Sequence, residues 1–240
     1  TVDVLAAALL GVVQGVTEFL PVSSSAHLIL ARTFFGFDAE RFGLAFDVAC
    51  HVGTLAAVLV FFRQDILSMV HAVPSIFSGR TDPHVRRLWL IAAGTIPIVM
   101  VGLTLADFIE GSTRRPVVAA TTLALGAGLL FLIERLRPAG KDESALGLGG
   151  AFLIGVAQAV ALVPGVSRSG ITIATGMGLG LARAAAARFT FLFSIPAILA
   201  AAAKEGLGLA GTSMSGADAV LFAVGMATSA AVGSRRRAPS

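Results

Sequence analysis

Residues 11–27 read Gly11-Val-Val-Gln14-Gly-Val-Thr17-Glu18-Phe-Leu-Pro21-Val-Ser23-Ser24-Ser25-Ala-His27. This stretch sets an amide, a carboxylate, three hydroxyls and an imidazole inside a segment otherwise apolar enough for a membrane. Gln14 and Glu18 are four apart, so on a helix they share a face. Pro21 then breaks the helix. A second stretch mirrors the first: Gly155-Val-Ala-Gln158-Ala-Val-Ala-Leu-Val-Pro164-Gly165-Val-Ser167-Arg168-Ser169-Gly170. Gly11 matches Gly155, Gln14 matches Gln158, Ser23 matches Ser167 and Ser25 matches Ser169, each pair 144 positions apart. Elsewhere the copies differ in chemistry. Glu18 corresponds to Leu162, Ser24 to Arg168 and His27 to Ile171. One copy carries acid, hydroxyl and imidazole; the other carries a cation.

Composition sets the medium. Hydrophobic residues make up 56% of the chain and charged residues 13%, against about 25% charged in an average soluble domain. Several uncharged runs approach the length of a membrane span. The fold class expected is therefore an all-α polytopic membrane protein. Cys50 is the single cysteine, so no intrachain disulfide can form. The net charge of +4 does not point to nucleic acid; in a membrane protein, Lys and Arg orient the loops. The N-terminus has no basic n-region and its first apolar run holds Gln14 and Glu18, so it is not expected to be a cleaved signal peptide.

The chain reads as a single membrane domain over 1–240, built from two repeats, 1–144 and 145–240. In the first, residues 4–35 form a re-entrant hairpin. Val4 to Leu20 enters part-way and Ala26 to Phe35 returns to the same side. Non-helical backbone is not tolerated facing lipid, so the Pro-Val-Ser-Ser-Ser tip must be buried in protein or line a wet cavity. Spans follow at 43–62, 88–106 and 117–133, with an amphipathic interfacial helix at Ile66–Phe77 and a short polar turn at Ile109–Arg115. Gly126 and Gly128 are expected to admit a close helix neighbour. The second repeat has its re-entrant hairpin at 146–181, broken at Pro164-Gly165, and spans at 189–203 and 217–232. Its third span has no counterpart in this sequence, giving about five to six transmembrane helices. An odd number of spans per repeat turns the second copy upside down, as in inverted-repeat transporters.

Lys and Arg set the orientation. On the side of the N-terminus lie Arg32, Arg41, Arg114, Arg115 and Lys204. On the other side lie Arg63, Arg80, Arg86, Arg87, Arg135, Arg137, Lys141, Arg183, Arg188, Arg235, Arg236 and Arg237. This imbalance predicts that the N-terminal side is outside, that the larger basic set faces the cytoplasm, and that the first hairpin opens to the exterior.

An ionisable residue at membrane depth costs about 2.5–3.5 kcal/mol on insertion scales, so it needs a partner or water. Glu18 and Arg168 fall at comparable depths on oppositely entering hairpins, which predicts that the two tips meet near the midplane. The site would hold Glu18, Ser23, Ser24, Ser25, His27, Ser167, Arg168 and Ser169, with backbone N–H groups from the broken helix ends. A guanidinium, many hydroxyls and helix N-termini describe a phosphate site. Ser24 activated by a base can attack phosphorus, or a base can activate water instead. Glu18 is then the base, the group that orients His27, or the ligand of a divalent cation. Arg168 stabilises charge on the transferring phosphoryl group. Asp47 and His51, four apart on the first span, either line the site or bond to a neighbouring helix, and the second is expected. Gln158, in the copy without an acid, reads as a structural or supporting hydrogen bonder. The rival reading is a transporter or flippase of a phosphorylated lipid, since broken helices at the midplane also build carriers.

Gln14-x-x-x-Glu18, the following Phe-Leu-Pro-Val-Ser-Ser-Ser-Ala-His27 and Pro164-Gly-Val-Ser-Arg168-Ser-Gly-Ile-Thr172 resemble the undecaprenyl-pyrophosphate phosphatase family, the bacitracin-resistance membrane phosphatases. The resemblance runs in order and spacing from about Ala7 to about Val232. It implies an inner-membrane enzyme that removes the terminal phosphate of undecaprenyl pyrophosphate and recycles the carrier for peptidoglycan. It also implies an active site open to the periplasm. By residue it implies Glu18, Ser24, His27 and Arg168 as catalytic groups, with Gln14, Ser23, Ser25, Ser167, Ser169 and Thr172 binding substrate. A divalent cation, Mg²⁺ or Ca²⁺, is associated with the family. The family often carries Glu where this chain has Gln14; a Gln hydrogen-bonds but adds no negative charge, which leaves Glu18 as the metal-ligand candidate. The expected partners are a polyprenyl pyrophosphate, the bilayer and a second copy in a homodimer, and no nucleic acid.

Overall fold

The computed structural model describes residues 2–77, 82–136, 140–209 and 215–235. Arg80, Arg137, Arg236 and Arg237, which entered the charge count, lie outside the described residues. The described chain is helical, and its one strand-like feature is an isolated bridge between Lys141 and Leu181. The first broken helix is α1 (Val2–Thr17) and its return is α2 (Ser24–Phe35). Next come α3 (Leu44–Phe61), α4 (Arg63–Ala72), α5 (Pro83–Thr104), α6 (Ala106–Thr113) and α7 (Pro116–Leu136). The second broken helix is α8 (Leu148–Val160) with its return α9 (Arg168–Gly178), followed by α10 (Arg183–Leu209) and α11 (Gly216–Arg235). Among the described residues five helices, α3, α5, α7, α10 and α11, are long and apolar enough to cross a membrane. This is an all-α polytopic membrane protein.

Most of the spanning helices run past the expected spans at one end or both, and α3 matches its span to within a residue at each end. Residues 183–209 are helical where 189–203 was expected, and 83–104 where 88–106 was expected. Hydropathy sees only the lipid-facing middle, whereas backbone hydrogen bonding continues into the polar flanks. Residues 106–113 form α6 rather than a turn. The helix expected at 66–77 begins at Arg63 and passes into a 3-10 turn at Val73–Ile76, where Pro74 has no N–H to offer an α-helical ladder.

Local chemistry builds both hairpin tips. The N–H of Glu18 still reaches the Gln14 carbonyl at 2.9 Å, and then the chain turns through Leu20 and Val22. Ser23, at φ 61°, caps α2 by accepting from the Ala26 N–H at 3.4 Å. In the second hairpin Ser167 caps α9 by accepting from the Gly170 N–H at 3.1 Å. Gly165 sits at φ +95°, and a Cβ there would fall 2.0 Å from the Thr122 Oγ1 of α7. Thr122 Oγ1 also donates to the Pro164 carbonyl at 2.7 Å, so α7 clamps the second tip.

Packing crosses the two sequence halves. One buried cluster joins Ala6, Ala7 and Leu10 of α1, Leu28 of α2, Phe46 and Cys50 of α3, and Leu221 of α11. The other joins Ile154 of α8, Ile173 and Met177 of α9, Phe189 and Phe193 of α10, and Leu90 of α5. Each hairpin is thus cored by the helix that follows it and by one helix from the other half. The contacts also give direction. Gly94 of α5 meets Gly155 of α8 and Phe193 of α10, and a Cβ on Gly155 would lie 2.0 Å from the Gly94 carbonyl, the close approach that small residues allow. Gly53 of α3 meets Met226 and Ser229 of α11, and Gly225 of α11 meets Phe46 of α3; Gly11 and Gly15 of α1 meet Gly225 to Val232. So α1, α3 and α11 run parallel. Val58 of α3 packs on Leu192 of α10, while Leu44 and Val48 share a cavity wall with Ala197 and Ala201; α10 is therefore antiparallel to α3. Along the same register α5 and α8 follow α10, so α1 and α8 run in opposite directions. A Cβ on Gly126 or Gly128 would meet nothing within 4 Å outside its own helix, so neither glycine admits a close helix neighbour; the buried residue of α7 is Ala119.

Candidate active site

The two tips touch. Ser169 Oγ donates to the Leu20 carbonyl at 3.3 Å. Arg168 Nη2 donates to Glu18 Oε1 at 2.5 Å. The other oxygen, Oε2, accepts from Ser24 Oγ at 2.6 Å and from Gln14 Nε2 at 3.0 Å. Gln14 is fully buried and reaches Thr54 Oγ1 at 3.5 Å, so α3 holds the amide that holds the carboxylate. His51 Nε2 lies 3.4 Å from Glu18 Oε2. Its Nδ1 donates to the Asp47 carbonyl at 2.8 Å, which directs Nε2 at the carboxylate. Glu18 is thereby the hub of a guanidinium, a hydroxyl, an amide and an imidazole.

Around this hub lies a cavity of about 190 Å³. Its polar wall is Glu18, Ser23, Ser24, Ser25, His51, Arg114, Gln158, Ser167, Arg168 and Ser169. The first turns of α2 and α9 both contribute to it, so two helix N-termini face one space, and such termini favour an anion. The opposite wall is apolar, with Leu44, Val48, Ile98, Leu162, Ala197 and Ala201. The same six residues line a second cavity of about 120 Å³ that continues between α3, α5 and α10 towards Leu103 and Lys204. The space thus has a charged head and an apolar extension.

The sequence profile of the bacitracin resistance protein BacA family matches residues 7–235. The chain belongs to this family. It is 48% identical to the undecaprenyl-diphosphatase of Rubrobacter xylanophilus, over 96% of this chain and 86% of that protein. It is 46% identical to the undecaprenyl-diphosphatase of Teredinibacter turnerae, over 95% of this chain and 86% of that protein. With that of Desulforudis audaxviator it shares 45% identity, over 93% of this chain and 82% of that protein.

In this BacA-family chain most of the residues singled out in the sequence come together. Glu18, Ser23, Ser24, Ser25, Ser167, Arg168 and Ser169 all line the cavity, and Gln14 stands directly behind Glu18. Two expected site residues, His27 and Thr172, are held by backbone contacts of the two hairpins. His27 is half-buried one turn into α2, and its Nδ1 donates to the Ser23 carbonyl at 2.8 Å, which ties it to the tip. Thr172 is fully buried between α9 and α10, donating to the Arg168 carbonyl at 2.7 Å and accepting from Thr190 at 3.1 Å. Asp47 does bond to a neighbouring helix as expected. It takes both Nη atoms of Arg32 from α2, at 2.5 and 3.0 Å, in a buried pair. His51, one turn further along the same face, instead points at Glu18.

Sequence reasoning named His51 but favoured a place for it outside this BacA site, and it missed Arg114. The signal for His51 was its four-residue spacing from Asp47, which fixes a shared face but not its neighbour. Arg114 read as a loop cation. In the structure its Nη2 donates to Asp47 Oδ2 while the side chain lines the cavity. Asp47 therefore anchors a second guanidinium at the site. Among the described residues no three His, Cys, Asp or Glu side chains cluster as a metal site. One carboxylate with substrate phosphate oxygens is nonetheless a sufficient donor set for Mg²⁺, which keeps most of its remaining ligands as water; Glu18 is the protein ligand such an ion would use.

Proposed function

We propose that this chain is an undecaprenyl-diphosphatase, a phosphoric anhydride hydrolase that converts undecaprenyl diphosphate to undecaprenyl phosphate and recycles the carrier for cell-wall synthesis. The observation that carries the reading is the Ser24 hydroxyl, 2.6 Å from a carboxylate oxygen whose partner oxygen holds Arg168. That is a nucleophile against its base, with a phosphate-binding cation beside them.

The diphosphate enters between the N-termini of α2 and α9, and its oxygens take the guanidinium of Arg168 from Glu18. The same exchange leaves Glu18 free to accept the Ser24 proton. Ser24 Oγ then attacks the terminal phosphorus in line. A new O–P bond forms, the bridging P–O bond breaks, and undecaprenyl phosphate departs with the electron pair, its oxygen taking the proton from Glu18. Water, deprotonated by the freed Glu18 carboxylate, then attacks the phosphoserine; the P–Oγ bond breaks, inorganic phosphate leaves, and Glu18 returns its proton to Ser24 Oγ. Arg114 offers a second guanidinium to the diphosphate, held in place by Asp47. A divalent cation at Glu18 would supply further neutralisation of phosphate oxygens. The first isoprene units fit the apolar extension bounded by Leu44, Ile98, Leu162 and Ala201.

In this reading α1–α2 and α8–α9 are re-entrant hairpins that enter from opposite faces of the inner membrane, and the site opens to the exterior. The basic residues of the α4–α5 side support that orientation. A carrier has no use for a hydroxyl aimed at a carboxylate, so the enzyme reading stands ahead of transport. The test is phosphate release from undecaprenyl diphosphate by purified protein, followed by trapping and mapping of the phosphorylated residue. A phosphoserine at Ser24 is expected. Release with incorporation of label at no serine would replace Ser24 by water as the attacking group.

A further inference from the structure

We propose that Gln158 is a substrate-binding residue whose amide contacts the phosphate oxygens from the hairpin that carries no carboxylate. The inference deepens the phosphatase reading and rests on it. Gln158 lies on α8, is fully buried, and lines the cavity that holds Glu18, Ser24 and Arg168. Neither its Nε2 nor its Oε1 has a hydrogen-bond partner. A buried amide with all of its bonding capacity unused is costly, and native interiors avoid it unless a ligand or water completes the set.

The two repeats explain why this amide is left over. Gln14 occupies the corresponding place on α1, and its Nε2 is spent on Glu18 and Thr54, at 3.0 and 3.5 Å. The residue corresponding to Glu18 is Leu162, which lines the same cavity and accepts nothing. Thus one glutamine orients the carboxylate, while the other, with no carboxylate to hold, faces the space between the tips. Phosphate oxygens only accept hydrogen bonds, so Nε2 is the end that meets them. Oε1 then accepts from a hydroxyl or from the water that follows. A neutral donor adds orientation without another cation, which suits a site that already holds Arg168 and Arg114.

The test compares wild-type protein with Q158L, using undecaprenyl diphosphate turnover and, separately, binding of inorganic pyrophosphate measured by thermal shift. Losing hydrogen bonds to a charged group predicts a KM at least about tenfold higher, kcat within about threefold, and a weakened pyrophosphate shift. A purely structural amide would move stability instead. KM and pyrophosphate binding both within about twofold of wild type would overturn the assignment. Where Q158L does not fold, Q158E keeps the shape and sets an anion against phosphate; a KM raised about tenfold is expected, and an unchanged one refutes the contact. Wild-type protein that releases no phosphate sinks the enzyme reading alone, because the pyrophosphate arm still decides the contact.

Discussion

Glu18 shows how one carboxylate is made usable at membrane depth. Arg168, Ser24 and Gln14 satisfy its two oxygens, so the insertion penalty is offset by bonds that also prepare the chemistry. Ser24→Ala should lower the rate of phosphate release by about 10²–10⁴-fold with the melting temperature preserved, the range typical of losing an activated proton-transfer partner. Glu18→Gln should cost a similar factor. The double variant should be little slower than either single one, because nucleophile and base act as a unit; steady-state assays of all three check this, and multiplicative losses would separate their roles. Chelation should raise KM without lowering the melting temperature, since among the described residues no protein-only metal cluster exists to unfold. Parallel kinetics and thermal denaturation with and without chelator would show it.

The paired hairpin helices depend on two clamps that lie outside them. Asp47 of α3 receives Arg32 from α2 and Arg114 from the turn between α6 and α7, with Arg32 only 5% exposed. Asp47→Ala would leave that guanidinium buried without a counter-ion, a loss of about 3–5 kcal/mol for a broken buried pair. It should also release Arg114, so KM should rise in whatever fraction remains folded. Thermal denaturation in detergent checks the first effect and kinetics the second; an unchanged melting temperature would contradict the anchoring role. At the other tip, Gly165 combines φ +95° with α7 backbone and Thr122 packed against it. Gly165→Ala should cost at least about 1–3 kcal/mol, the scale of a strained backbone position, and should reduce kcat because Arg168 is three residues on. Retention of full activity would show that the α8–α9 turn tolerates another path.

Across the whole molecule, the halves trade helices: α11 completes the core of the first hairpin and α5 that of the second. The arrangement predicts that neither half folds alone, although co-expressed halves split between 136 and 140 should restore phosphate release. Activity from the first half by itself would exclude it. The five apolar helices, the breaks at Pro21 and Pro164 and the meeting of Glu18 with Arg168 were all legible in the chain, because they follow from composition, from proline chemistry and from a repeated spacing. Hydropathy, local turn chemistry and a matched pair of motifs are properties of neighbouring residues, so the sequence alone determined the membrane class, the two broken hairpins and the family. Only the tertiary structure decided that His51 and Arg114 join the site, that His27 bonds the Ser23 carbonyl and Thr172 is buried between α9 and α10, and that the Gln158 amide is left unpaired within the cavity. The physical reason is that a helical repeat assigns a side chain to a face, whereas the rotation and crossing of helices far apart in the chain decide what that face meets.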